Sequence, residues 1–219
     1  MSSTFPVPGG ATFLRARNNL SDLANAATAL ANLGGAPLAD VANVIPADLG
    51  WLAWNYDPAY TAQGITLAAS YLYVMRVNVR AAISVTNVII AIATAGSSLT
   101  SSENYAGLYN SSGSLIAATA DQTTAWESNG YKTMPLASGP YNLLAATFCW
   151  VAILANGTTP PKPAALTSVA GAPTSLAQRG VSAANSYFAY STSGLTSLPS
   201  SFTPSSLSQV NGTPFAGLS

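Results

Sequence analysis

Within "ADQTTAWESNGY" two carboxylates, Asp121 and Glu127, flank Trp126. A facing pair of carboxylates can serve as acid and base, or acid and nucleophile, on a glycosidic bond. An aromatic ring between them can hold a sugar. The same spacing also suits a polar loop wrapped around a packed tryptophan, and acids and aromatics this sparse arise without a shared site. Aromatic rings form a second group. Trp126, Tyr105, Tyr109 and Tyr131 fall near expected strand ends and loops, where a flat ring can stack on a pyranose face. Their alternative is to fill the core, as large aromatics do. Tyr105, Asp121, Trp126 and Tyr131 are therefore the ligand-binding candidates. Trp51, Trp54, Tyr56 and Tyr60 crowd the start of the β region, where they are expected to fix a domain to its stem.

Much chemistry is excluded. The chain has no histidine, which removes Ser-His-Asp and Cys-His catalysis and every histidine-based metal site. It has no Walker loop, no G-x-G-x-x-G and no metal-ligand spacing. No catalytic residue, metal or cofactor is assigned, and the chain is not expected to be an enzyme. The single cysteine, Cys149, lies in "LLAATFCWVAILA", so a buried, inert thiol is expected. "NGT" occurs at Asn156 and Asn211, but glycosylation there requires a secretory route.

Only 6% of the 219 residues are charged, and seven basic side chains balance seven acidic ones. An ordinary soluble domain carries about 25%. There is no basic footprint for nucleic acid. A surface built from Ser, Thr, Ala and Gly suits a chain that faces copies of itself. "MSSTFPVPGGATF" lacks a basic start and an apolar stretch, so no signal peptide is expected. The longest apolar run, 143–155, is shorter than the roughly 20 residues of a membrane helix, so no membrane insertion is expected.

The candidates need elements to hold them. Residues 1–17 read as an extended arm, broken by Pro6, Pro8 and Gly9-Gly10. Residues 18–34 read as a short helix. Asn19 caps it, with Asp22 three residues on, and Gly34 can take the left-handed conformation at its end. Leu20, Leu23, Ala27 and Leu30 form a heptad seam about two heptads long. Isolated helices this short are marginal in water, so the seam must pack on something. A trimeric bundle is favoured over packing on the chain's own body. Residues 35–50 form a connector.

From Trp51 the period becomes two. "YLYVMRVNVR" places Tyr71, Tyr73, Met75, Val77 and Val79 on one face. "ISVTNVIIAIATA" is apolar on both faces by its middle and is expected to be a central, doubly covered strand. "NYAGLYN", "SSG" and "SLIAAT" form a hairpin turning at Ser111-Ser112-Gly113. "YKTMPLA" is a further strand, "GPYNLLAATFCWVAILAN" a long buried one, and "NSYFAYST" closes the sheet. The expected fold is mainly β, an antiparallel, jelly-roll-like β-sandwich over residues 51–193. The tail, 194–219, is Ser/Pro-rich, and Leu195, Leu198, Phe202, Leu207, Phe215 and Leu218 recur through it. It reads either as disordered or as an extended arm pressing these side chains onto a surface.

"NNLSDLANAATALANLG" resembles a segment of bacteriophage tail fibres and tail-tip proteins, N-N-L-S-D-L-x-x-x-x-x-A-x-x-N-L-G. Asn18, Asn19, Leu20, Ser21, Asp22, Leu23, Ala29, Asn32, Leu33 and Gly34 carry the match, over under a tenth of the chain. In that family the segment is a short helix in a homotrimeric stem, near where the fibre joins the virion. Residues 65–160 resemble a β-sandwich domain common in proteins of actinobacteria, especially Streptomyces, and of their phages, with no assigned catalytic residues. The resemblance implies a virion protein of the tail or tail tip. It would be a homotrimer, held to other tail proteins by its arm and binding a host cell-surface glycan. The alternatives are a structural virion protein without a receptor and, more remotely, an enzyme that degrades polysaccharide.

Overall fold

The structure, a computed structural model, describes residues 44–166, 188–191, 193–209 and 212–219. The chain divides into two units, Met1–Val44 and Ile45–Ser219. The arm, the stem helix with Leu20, Leu23, Ala27 and Leu30, and most of the connector lie outside the described residues. The second unit begins earlier than the period-two pattern does, because Pro46–Leu49 forms a 3-10 turn at its start.

This unit is mainly β, built from antiparallel sheets. In chain order the strands are β1 (Ala53–Trp54), β2 (Leu72–Val79), β3 (Ile83–Val85), β4 (Asn87–Thr94), β5 (Ser97–Leu99), β6 (Tyr105–Tyr109) and β7 (Leu115–Ala118). They continue as β8 (Gly130–Pro135), β9 (Tyr141–Leu143), β10 (Thr147–Leu154), β11 (Gly157–Thr159), β12 (Lys162–Pro163) and β13 (Ala165–Leu166). The last are β14 (Phe188–Tyr190), β15 (Ser208–Gln209), β16 (Thr213–Pro214) and β17 (Ala216–Leu218). The helix among the described residues is one turn, Thr123–Trp126.

Four antiparallel pairs nest inside one another: β1 with β17, β2 with β10, β4 with β8, and β6 with β7. β17 also pairs β4, and β10 also pairs β6. The first and third pairs thus merge into one sheet, and the second and fourth into another. β12 continues the line of β17 along β4, and β14 and β15 extend the second sheet beyond β2. Small ribbons, β3 with β9 and β5 with β11, join strands that belong to different sheets.

One apolar cluster lies between the inward faces. Tyr73, Met75, Val77 and Val79 of β2 meet Val88, Ile90 and Ile92 of β4, with Cys149, Val151 and Ile153 of β10 and Leu218 of β17. Shared burial of both inner faces is an arrangement consistent with a β-sandwich. The alternation on β2 places these side chains inward, as its sequence indicates. β4 is apolar on both faces because both are covered: Ile89 and Ala91 lie in a separate outer cluster. The expected long strand 139–156 is instead two. β9 pairs with β3 and β10 with β2, so the chain changes partner through Leu144–Ala146, with Ala146 at φ 58.

Candidate functional site

The four ligand-binding candidates fall in separate places. Trp126 is a correction: it is fully buried in the core, so neither ring face can stack on a sugar. The helix Thr123–Trp126 turns it inward, and its Nε1 has no hydrogen-bond partner among the described residues. Asp121 precedes that helix, and its Oδ1 accepts the Asn104 backbone N–H at 3.1 Å. Glu127 follows the helix and is exposed. Asp121 therefore fixes a loop, as the polar-loop alternative requires. Tyr105 is half-buried over the outer face of β6, and its hydroxyl donates to the Ser102 carbonyl at 2.7 Å. Only Tyr131 presents an open ring, at 51% exposure, and it lies on the other sheet.

The loops around Asp121 are organised by Asn104, which the sequence did not single out. Its Nδ2 donates to the Thr100 carbonyl at 2.6 Å and to Thr123 Oγ1 at 3.0 Å, and its Oδ1 accepts the Asn156 N–H at 2.9 Å. Asn156 is 3% exposed and donates from Nδ2 to the Leu195 carbonyl, so that "NGT" is closed to modification in the folded chain. Asn211 lies outside the described residues. Among the described residues no group of three His, Cys, Asp or Glu could hold a metal ion. Cys149 is 1% exposed, and burial pushes its thiol from 9.0 up to about 12, which leaves it inert.

The site that emerges is aromatic, on the outer face of the β1–β17–β4–β8 sheet. Three chain segments supply its rings. β1 and the residues beside it bring Trp51, Trp54 and Tyr56, β8 brings Tyr131, and the residue before β17 is Phe215. Phe215, 0% exposed, is the hub. Its ring centroid lies 5.4 Å from Trp51, 5.8 Å from Tyr131 and 5.9 Å from Tyr56. Trp51 lies 5.7 Å from Tyr131, tilted by 50°, and stands nearly perpendicular to Trp54 at 6.0 Å. Such tilted and edge-on geometries are the favoured ones between aromatic rings.

The backbone beneath this ledge is tightly held. Asn55 clamps β1 to the final strand: its Nδ2 donates to the Pro214 carbonyl at 2.7 Å, and its Oδ1 accepts the Ala216 N–H at 3.0 Å. Tyr56 is fixed by its hydroxyl, which donates to the Thr213 carbonyl at 2.9 Å and accepts the Leu166 N–H at 3.0 Å. Burial drives that phenol well above the usual tyrosine range. Gly217 completes the packing, because a Cβ there would come within 3.3 Å of the Phe215 ring.

The polar ends of the ledge divide sharply. Tyr56 is satisfied internally. Tyr131 Oη and the Nε1 atoms of Trp51 and Trp54 make no hydrogen bond to the described residues. A shallow cavity of about 170 Å³ also lies between Ser191, Leu195, Pro199, Phe202, Thr203 and Ser206. It is below the usual range for small-molecule pockets, roughly 300–1,000 Å³, which leaves the ledge as the stronger candidate. The sequence named Tyr131 for ligand binding but assigned Trp51, Trp54 and Tyr56 to the stem junction and Phe215 to the tail. Their convergence follows from the outermost strand pair, β1 with β17, which no local pattern announces. No family model matches the chain, and no curated protein matches it in sequence.

Proposed function

We propose that the chain is a bacteriophage virion protein, a tail-fibre or tail-tip component that binds the host cell surface as a homotrimer. In this reading residues 1–17 attach it to other tail proteins, residues 18–34 form a three-helix stem, and the β unit meets a cell-wall glycan. The stem assignment rests on the N-N-L-S-D-L resemblance and its heptad seam. The jelly-roll reading of the β unit is supported by the four nested strand pairs, whose alternate members form the two sheets. The observation that carries the binding role is the ledge: preorganised rings with Tyr131 half exposed and three polar ends that have no partner among the described residues. Three copies on one fibre would multiply weak contacts into useful avidity.

Co-sedimentation with isolated actinobacterial cell walls tests the role. The protein is expected to pellet with walls of its host and to be released by soluble wall polysaccharide. Failure to bind any wall would instead leave the second reading, a structural virion part without a receptor. The outer face of the other sheet favours that reading, since a segment of the same chain packs over much of it. The soluble mass tests the trimer: a stable monomer with an intact stem helix would remove it. Release of reducing ends from walls, lost in Asp121→Ala, would revive the enzyme reading.

A further inference from the structure

We infer that the ledge of Trp51, Trp54 and Tyr131 binds the apolar face of an uncharged pyranose. This rests on the host-binding reading above, and it names the site and the ligand class. A pyranose offers a flat patch of C–H groups rimmed by hydroxyls. The ledge offers the complement, aromatic rings with polar ends not engaged by the described residues: Tyr131 Oη can donate or accept, and each indole N–H can donate. An apolar surface of a second copy would cover the rings but leave these groups unpaired, which is costly on burial.

Charge narrows the ligand further. The outward residues directly beside the rings are Ile89 and Ala91 of β4, Gly217 of β17 and Thr133 of β8, none of them ionisable; the cation on this face is Lys162 of β12, whose Cβ lies beside that of Ala93. The nearest cation along β8, Lys132, is turned away and engaged: its Nζ donates to Ser128 Oγ at 2.7 Å and to the Asn129 carbonyl at 3.1 Å. The acid closest in sequence, Asp57, has its Oδ1 occupied by the Ala59 N–H at 2.8 Å. Recognition of a polyanion calls for Arg forks, several cations or free backbone N–H groups, whereas this face offers the rings and the single ammonium of Lys162 beside Ala93. A neutral polysaccharide is therefore favoured over an anionic wall polymer. Because Phe215, Asn55 and Gly217 hold the rings in place beforehand, little ordering accompanies binding.

The test is titration of the full-length protein with neutral gluco-, galacto- and manno-oligosaccharides and with a glycerol-phosphate teichoic acid. Indole fluorescence and proton line broadening report binding. At least one neutral sugar is expected to perturb the indoles while the teichoic acid does not. Tyr131→Ala is expected to weaken that binding about tenfold, the scale of one lost ring contact. Tyr131→Phe is expected to weaken it less, isolating the hydroxyl. Trp51→Ala serves as a second variant, judged only if its unfolding transition stays cooperative. If the wild type binds walls and sugars but Tyr131→Ala binds them equally well, the ledge assignment is wrong and the host-binding reading stands. If the wild type binds walls through the teichoic acid alone, the neutral-ligand inference fails. If it binds no sugar and Tyr131→Ala instead lowers the soluble mass, the ledge is a contact between copies, and the inference is overturned.

Discussion

The two outer faces of this unit are both aromatic, yet they are finished in opposite ways. On the β2–β10–β6 sheet, Tyr109 and Trp150 lie beneath a segment that runs from Leu195 to Leu207, while Phe148 packs edge-on against Trp150 under the Arg76 guanidinium. Leu195, Leu198, Phe202 and Leu207 press onto Leu72, Val74, Ala152 and Leu154, and Phe202 packs 5.1 Å from Tyr109 and 5.9 Å from Trp150. Polar ends there find partners within the chain. Tyr109 donates to the Pro199 carbonyl at 2.8 Å, Tyr105 to Ser102, and Trp150 Nε1 to the Ser111 carbonyl at 3.4 Å. On the other sheet no chain segment among those described covers Tyr131, and three polar ends have no partner among the described residues. One face is closed by the chain, and the other keeps polar ends open to solvent. A ring count alone would not separate them, whereas the fate of each Oη and Nε1 does.

The largest effect is expected on the closed face. Trp150 is fully buried, and Trp150→Ala removes a ring from beneath the covering segment, costing about 4 kcal/mol. Urea unfolding measures this, and the same variant, where it remains folded, should bind sugar as the wild type does. A sugar-binding defect in a folded Trp150→Ala protein would break the division of roles between the faces.

The segment's grip can be loosened at one backbone position. Gly113, in the β6–β7 turn, has φ +88 and donates its N–H to Asn110, while its carbonyl accepts the Phe202 N–H at 2.8 Å. A Cβ there would lie 2.1 Å from the Phe202 carbonyl oxygen. Gly113→Ala must therefore move the segment as well as strain the turn, at an expected cost of about 3 kcal/mol. Hydrogen exchange should show faster exchange at the Leu115 and Phe202 amides, which bond to the Ser200 and Gly113 carbonyls. Unchanged protection at both amides would mean that the segment is not held there.

Between the faces, Cys149 gives a pH signature. Its thiol stands at about 12 in the folded chain against an ordinary 9.0. The unfolded chain then loses its proton first and binds fewer protons, so stability falls as pH rises above 9.0. Between 9.0 and 10.0 Cys149 contributes about 1 kcal/mol per pH unit, and Tyr56, Tyr73 and Tyr109, whose phenols burial also raises, add an increasing share toward 10.0. Cys149→Ala should lower the slope most near 9.0, whatever it does to the absolute value. A slope near 9.0 that is unchanged in the variant would place its origin elsewhere.

What the sequence made legible follows from how local each signal is. The alternation in "YLYVMRVNV" orients Tyr73, Met75, Val77 and Val79 because a strand's faces repeat every two residues. The Ser111-Ser112-Gly113 turn is legible because Gly113 alone meets the φ it needs. The break at Leu144–Ala146 leaves no local signal because it carries neither Gly nor Pro; the chain bends there to change partner, at a left-handed alanine. For Trp126 the sequence leaves both a sugar-stacking ring and a packed one open, and the helical turn Thr123–Trp126, which no local pattern announces, points the ring inward. The ledge joins residue 51 to residue 215, and only the outermost of four nested pairs brings them together.

The smallest stability change should coincide with the sharpest functional one. Tyr131→Phe keeps the ring against Phe215 and Trp51 and removes only an oxygen that bonds to none of the described residues. Its unfolding free energy should stay within about 0.5 kcal/mol of wild type. Removing the corresponding oxygen on the closed face, in Tyr109→Phe, deletes the bond to Pro199 and leaves that carbonyl without its partner, so it should cost about 1 kcal/mol or more. If the ledge is a binding surface, Tyr131→Phe weakens sugar binding and Tyr109→Phe does not. Equal stability losses in the two variants would mean that Tyr131 Oη is satisfied in the folded protein, and the contrast between the faces would then lose its chemical basis.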